Sequence, residues 1–360
     1  MIVENRLVCE GGWIEHGGAR CFNLYRPAII VPGQMLGAGR WLDHVHKVYP
    51  EEAEHIIRWL AHRVQRPQEK INHALVLIGH QGIGKDTLLE PVKTAVGPWN
   101  FSEVSPQQIL GRFNGFLRSV ILRISEARDV GGYDRFAFYE HMKAYTAAPP
   151  DVLRVDEKNL REYSVFNCTG VIITTNNRID GLYLPADDRR HHVAASSLTK
   201  EDFDDEYWRS LWGWYVSGGD RDVAAYLSQL DITCFNPKAP PPKTPAFWSI
   251  VNVNRVPEDA EFADVLDRIG NPVAVTLSGI QAAACGDGDF GQWLQDRKNR
   301  RTIPHRMEKC GYVAVHNPAA QDGLWKVAGR RQVIYAKGAL PLGDQIRAAN
   351  ALIETMGTSW

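Results

Sequence analysis

The stretch Ala74-Leu75-Val76-Leu77-Ile78-Gly79-His80-Gln81-Gly82-Ile83-Gly84-Lys85-Asp86-Thr87 decides the fold. Five apolar residues run without a break, which suits a parallel strand buried on both faces. Glycines at 79, 82 and 84 and a lysine follow, and then Leu88 to Val96 has helical character. A strand, a glycine loop and a helix in succession form the setting a phosphate-binding loop requires. Glycine lets the backbone fold so that its N–H groups face the phosphates, the helix N-terminus adds its dipole, and Lys85 adds a full charge. The candidate phosphate-binding residues are therefore Gly79, Gln81, Gly82, Ile83, Gly84, Lys85, Asp86 and Thr87. The pattern departs from the usual one directly after the lysine. Ser or Thr ordinarily stands there; here it is Asp86, with Thr87 one place later. Either side chain can enter the shell of a Mg²⁺ ion, and the sequence does not choose between them.

Two more apolar runs extend the pattern, Val120 to Ile124 and Val171 to Thr175. With intervening helical stretches they predict an α/β core with a parallel sheet. Each run ends in polar residues, at the strand edge where such folds place ligands. Ser125-Glu126 follows the first. Glu126 is the carboxylate expected to orient an attacking water and to share the metal, as triphosphate hydrolysis requires. Ser125 stands where an acidic residue is more common. Asn176-Asn177 follows the second run; an amide such as Asn176 there can hydrogen-bond a terminal phosphate or the attacking water, and two such residues otherwise simply form a turn. Downstream, Asp187-Asp188-Arg189-Arg190 precedes His191-His192, and Arg189 or Arg190 can serve as an arginine finger given to a neighbouring subunit.

Composition bounds the alternatives. The 360 residues predict two to three domains. Lys+Arg is 41 against 42 Asp+Glu, a net charge of −1, so the chain is no uniformly basic nucleic-acid coat. Hydrophobic residues at 44% exclude a wholly disordered chain. Cys9, Cys21, Cys168, Cys234, Cys285 and Cys310 form no CxxC pair and read as scattered thiols. The N-terminus lacks the apolar region of a signal peptide. No apolar run approaches the roughly 18 residues of a membrane span. Residues 1–49 read as strands and loops, 50–235 as the ATPase core beginning with a helix over 50–66, 236–248 (with NPKAPPPKTP) as a proline-rich linker, and 249–360 as a C-terminal domain.

GHQGIGKDT, ILRISEA, VIITTN and DDRR, in this order, resemble a superfamily 3 helicase of the AAA+ class. The likeness is closest to the helicase module of phage- and plasmid-type primase–helicases. That resemblance implies an ATP-dependent replicative DNA helicase in the cytoplasm of a bacterial or phage-infected cell. It would work as a homo-oligomeric ring, a hexamer, with Mg²⁺–ATP between subunits and a primase as a partner. It makes Lys85 the phosphate-loop lysine, Glu126 the Walker B glutamate, Asn176 sensor 1 and Arg189 or Arg190 the finger. It also implies that the stretch 152–167, read as two strands with a turn near Lys158-Asn159, projects into the ring channel. Arg154, Lys158 and Arg161 would then meet nucleic-acid phosphates, although Asp151, Asp156, Glu157 and Glu162 are interleaved with them.

Residues 297–337 hold ten basic residues and two acidic ones, so this segment is +8 and the rest of the chain −9. Helices followed by short strands here resemble a winged-helix module. Asp289 to Arg301 is expected as its recognition-like helix and Lys326 to Arg331 as its wing, with Lys298, Arg300, Arg301, Arg330 and Arg331 meeting DNA. Trp293, Tyr312 and Trp325 are expected in its core. Asp43-His44-Val45-His46 lacks partners at metal-ligand spacing and reads as a helix-entry histidine pair. Trp208, Trp212 and Trp214 read as core. Two other classes share the loop. One is an ATP-switched DNA adaptor or loader that does not unwind, and the other is a small-molecule kinase, which leaves Asn176 and the basic tail unexplained.

Overall fold

The computed structural model describes residues 2–4, 11–16, 18–23, 25–29, 31, 33–125, 132–176, 182–253, 257–284, 288–296, 299–300 and 302–357. The chain divides into two compact units, Met1–Asn254 and Arg255–Trp360.

The first unit opens with β1 (Ile2–Glu4), β2 (Gly12–His16) and β3 (Ala19–Asn23), a small sheet in the order β1-β3-β2. Helices α1 (Gly39–Val48) and α2 (Ala53–Gln65) follow. The α2 helix is the one expected over 50–66, and Ile56, Ile57, Leu60 and Ala61 are buried as its spacing requires. The α1 helix lies where loop was expected. It buries Trp41, His44, Val45 and Val48, a stripe at three- and four-residue spacing in which a histidine fills an apolar position.

Next come β4 (Ala74–Ile78), α3 (Lys85–Val96), β5 (Phe101–Val104), the single turn α4 (Pro106–Ile109), β6 (Ile121–Ile124) and α5 (Gly132–Thr146). A hairpin of β7 (Val152–Val155) and β8 (Tyr163–Phe166), then β9 (Gly170–Thr175) and β10 (His191–Ala195), complete the strands. Five of these form one parallel sheet in the order β10-β4-β9-β6-β5. The expected α/β core with a parallel sheet is present, and its three predicted runs are the three central strands. Edge strands β5 and β10 complete it. The first is half exposed, and the second opens on two histidines, so neither shows as an apolar run.

Alternation along the strands sends side chains to two layers. Leu75, Leu77, Ile121, Ile172 and Ala194 join a cluster with α1, α2 and α3. Its other helices are α6 (Asp205–Trp214) and α7 (Asp220–Gln229), joined by a π-helical segment in which Gly218 takes a φ of 111°. Ala74, Val76, Ile78, Leu122, Ile124, Val171, Ile173 and Val193 face the other way, against α5, the inner face of the hairpin and α8 (Pro245–Val253). The proline-rich segment expected as a linker is tied to this unit. Asn72 N–H donates to the Pro237 carbonyl (2.8 Å), Thr244 Oγ1 to the Val193 carbonyl (2.6 Å), and Phe247 is fully buried.

The second unit contains α9 (Pro257–Arg268), β11 (Ala274–Thr276), α10 (Leu277–Ala283), α11 (Gly288–Gln295), α12 (Ile303–Lys309) and β12 (Tyr312–Val315). It ends with β13 (Trp325–Val327), β14 (Arg330–Gln332), β15 (Ile334–Lys337) and α13 (Leu342–Gly357). An antiparallel sheet runs β11-β15-β12, and β13 pairs with β14 as a separate hairpin. Tyr312 and Trp325 are buried and Trp293 packs beside Phe262 and Phe290. The helix expected over 289–301 stops at Gln295. The Asn299 amide donates to the Trp293 carbonyl (2.9 Å), which a continuing helix would use for its own backbone. Pro304 sits in the first turn of α12.

Candidate functional site

Strand β9 lies between β4 and β6, so the loop after β4, the Ser125 end of β6 and Asn176 after β9 meet at one edge of the sheet. A cleft of about 370 Å³ opens there. It is lined by the loop from Gln81 to Thr87, by Arg123, by Thr174 to Asn176, and by Trp208 and Trp212 of α6.

Gly82 and Gly84 both take φ of 88°, a region that disfavours any side chain, and this curls the loop over the start of α3. Gly84 also has no room for a Cβ, which would fall 2.5 Å from His44 Cε1. Lys85 is buried, and its ammonium donates to the carbonyls of Gly79 (2.6 Å) and His80 (2.8 Å) and to Oδ1 of Asn176 (2.8 Å). The loop lysine and the strand-end amide singled out from sequence are thus in direct contact.

Asp86 and Thr87 both line the cleft. The Asp86 carboxylate is exposed and forms an ion pair with Arg123 of β6, which is buried. Arg123 also donates from Nη1 to Glu103 (3.3 Å) and from Nη2 to Thr174 Oγ1 (3.3 Å). Sequence reading passed over Arg123, although a charge inside the apolar run Ile121-Leu122-Arg123-Ile124 was the signal. It read His44 as one of a surface or helix-entry histidine pair and gave it no part in the site. This side chain is fully buried in α1, with Nε2 at 3.0 Å from the Gly84 carbonyl and Nδ1 at 2.7 Å from Tyr207 Oη. A carbonyl can only accept, so Nε2 carries the proton and Nδ1 accepts from the tyrosine. Burial lowers the pKa of His44 and favours that neutral form. Trp208 and Trp212, read as core, form a wall of the cleft, and Trp212 is 43% exposed.

Glu126 follows the end of β6 by two residues and lies outside the described residues, as do Asn177, Lys298 and Arg301. Arg189 and Arg190 do not line the cleft. They precede β10, whose first residue pairs with the first residue of β4, at the opposite end of the sheet from the loop. Asp188 organises that turn. Its carboxylate accepts from the backbone of Arg190 and His191, from the His191 ring and from Tyr139 Oη (3.0 Å). Burial pushes the pKa of Asp188 up, but these hydrogen bonds outweigh it and leave the carboxyl below its usual value.

The hairpin turns at Asn159 (φ 65°), as expected. Three of its four acidic residues are matched: Asp156 by Arg112 (2.8 Å), Glu157 by Arg118 (2.9 Å) and Glu162 by Arg154. Lys158 and Arg161 are exposed and make no ion pair with a described residue. In the second unit Arg300, Arg330 and Arg331 are exposed. Lys326 lies directly across from Arg331 in the β13–β14 ladder. Like charges in that relation repel. Asp322 offsets only part of this, at 2.6 Å from Arg331.

Oxygen donors on Asp86 and Thr87 suit a hard divalent cation, and the loop, Lys85 and Asn176 suit phosphate. The cleft is therefore chemically fit for a magnesium-bound nucleotide. Among the described residues no group of three or more His, Cys, Asp or Glu is disposed to hold a metal ion. No helix of the described residues is long and apolar enough to cross a membrane.

Fold and cleft together define an α/β protein with a five-stranded parallel sheet and a phosphate-loop-like core. Comparison with known proteins finds several that are similar. A family of unknown function (DUF5906) matches residues 77–190, the stretch from the loop to Arg190. A DNA primase-polymerase of Nitratiruptor phage NrS-1 is 22% identical over 177 residues, 49% of this chain and 24% of that protein. The matched part thus spans about a quarter of that relative's length. The apo structure of the NrS-1 C-terminal region (305–718) has the same fold, with a TM-score of 0.66 at 15% identity over 93% of this chain and 84% of that one. A second form of that region gives 0.62 at 16% identity, covering 94% and 85%.

Proposed function

We propose that this chain is the ATP-driven DNA helicase module of a phage or mobile-element replication system, of the superfamily 3 type. The observation that carries the reading is the contact between Lys85 and Asn176. It joins the glycine loop after β4 to the end of β9, the strand beside it. A lysine that holds a neighbouring strand end through its ammonium is placed to exchange those oxygens for phosphate. The phage relative and the shared fold support the same reading.

In this reading the loop and Lys85 bind the phosphates, and Asp86, Thr87 and Glu126 are the candidates for holding Mg²⁺. The metal would neutralise charge on the phosphate oxygens. Glu126 orients the attacking water and Asn176 senses the terminal phosphate. Arg189 or Arg190 stands at the far end of the sheet from its own cleft, where it serves a neighbouring protomer in a ring, a hexamer. Lys158 and Arg161 grip a single strand in the channel. The second unit acts as a winged-helix-like DNA contact, with Lys326, Arg330 and Arg331 on the β13–β14 wing. A primase acts as its partner.

Lys85→Ala should abolish ATP hydrolysis and strand displacement while the far-ultraviolet dichroism stays unchanged. Undiminished turnover would overturn the mechanism. Strand displacement with ATP but not with a non-hydrolysable analogue separates a motor from an ATP-switched adaptor.

A further inference from the structure

Two departures from the usual pattern meet in space. Asp86 replaces the hydroxyl residue after Lys85, and Arg123 puts a cation inside a buried strand. The Arg123 side chain is only 8% exposed, so it needs partners. Its bonds to Glu103 and Thr174 are long, 3.3 Å each, and Glu103 is shared with Lys93 at 2.9 Å. It also pairs with Asp86, whose carboxylate is 72% exposed at the cleft. Thr174 and Asn176 are two residues apart where β9 ends. Arg123 bonds the first and Lys85 the second, and both cations line the cleft.

We propose that Arg123 is the cation that reads the terminal phosphate of the bound nucleotide from within the same chain, and that Asp86 positions it. This rests on the nucleotide reading of the cleft. A guanidinium has five donors in a fixed fork that matches phosphate oxygens. Held by Asp86 on one side and by Glu103 and Thr174 on the other, it is oriented before the ligand arrives. Asp86 thus serves the arginine, and Thr87 is left as the side chain beside the loop for the metal.

Equilibrium binding of ATPγS and of ADP to the full chain, each with Mg²⁺ and in EDTA, tests this. The proteins are wild type, Asp86→Ala, Arg123→Lys, the double variant and Lys85→Ala. Asp86 is exposed, so its alanine variant keeps the fold even where a change at buried Arg123 does not. Asp86→Ala and Arg123→Lys should each weaken ATPγS about tenfold or more, in EDTA as well as in Mg²⁺, and leave ADP within about twofold. The double variant should lose no more than the larger single loss. An Asp86→Ala loss seen only with Mg²⁺ would make Asp86 a metal ligand and overturn the proposal, as would equal losses for ADP and ATPγS. Failure of the wild type to bind either nucleotide would overturn the nucleotide reading itself. Binding by the wild type that Lys85→Ala abolishes upholds that reading whatever Asp86 does.

Discussion

Pro91 stands inside α3, where it has no N–H to give the Thr87 carbonyl four residues back. That carbonyl belongs to the loop end of the helix, and the molecule satisfies it from outside. Tyr215 Oη donates to it at 3.1 Å, and burial raises the tyrosine's pKa, which keeps the donor protonated. Trp41 Nε1 supports the next carbonyl, that of Leu88, at 2.9 Å. The helix that carries Lys85 is thus braced from α1 and from the π-helical turn. Tyr215→Phe should cost about 1–2 kcal/mol by urea unfolding, the penalty of an unmet buried acceptor. Pro91→Ala restores an N–H at the same place, so the tyrosine change should cost less than half as much in that background. Equal costs in both backgrounds would show that the hydroxyl does not fill the proline's gap.

Elements differ in how plainly the sequence announces them. Strands β4, β6 and β9 are buried on both faces and read as apolar runs, and α2 carries its period openly. The loop residues and Asn176 were legible because strand ends gather at one sheet edge. Arg123 stands out as a charge in an apolar run, but its role was not legible, because its partner Asp86 lies 37 residues away and only the tertiary fold brings them together. The α1 helix and the break after Gln295 were hidden for a similar reason: His44 and Asn299 act through partners that local spacing does not reveal. The β7–β8 hairpin shows how pairing can sharpen a motif. Its mixed charges looked like a solvated face, yet the carboxylates of Asp156, Glu157 and Glu162 are matched by arginines and Lys158 and Arg161 remain outside those pairs. Lys158→Ala should therefore lower DNA-stimulated ATP turnover several-fold and leave basal turnover nearly unchanged. Removing one phosphate contact should also flatten the salt dependence of single-strand binding by about 0.7 units of log–log slope. Equal losses of basal and stimulated turnover would place Lys158 in the fold and not on the strand.

Over the whole molecule, a net charge of −1 conceals a +8 segment behind a body of −9, so average charge says little about where an anion binds. A different set of titratable groups governs the stability of the first unit. His55, His62 and His73 gather around Phe235 at the end of the sheet away from the cleft, and His192 joins them through His55. The His192 ring stacks on His55 at 3.8 Å, and the His55 and His73 Nε2 atoms are 2.9 Å apart. Burial, reinforced for three of them by neighbouring histidines and by Arg58, Arg63, Arg66 and Lys238, lowers their pKa values. They fall to about 2 for His55, 3 for His62 and His73, and 4 for His192. In the folded protein these rings stay neutral at pH values where the unfolded chain, with pKa near 6.5, takes up protons. Their contribution is fully present above pH 6.5 and is lost as pH falls below it, because the unfolded state then binds more protons. Each histidine can add a slope of up to about 1.4 kcal/mol per pH unit. Unfolding free energy should thus be flat from pH 8 to 7 and fall steeply from pH 6.5 to 5. Replacing His55 with Phe should remove roughly one proton from that slope, since phenylalanine keeps the stacking on His192 without a basic nitrogen. A stability that stays level down to pH 5 in the wild type would show that the cluster accepts protons without opening.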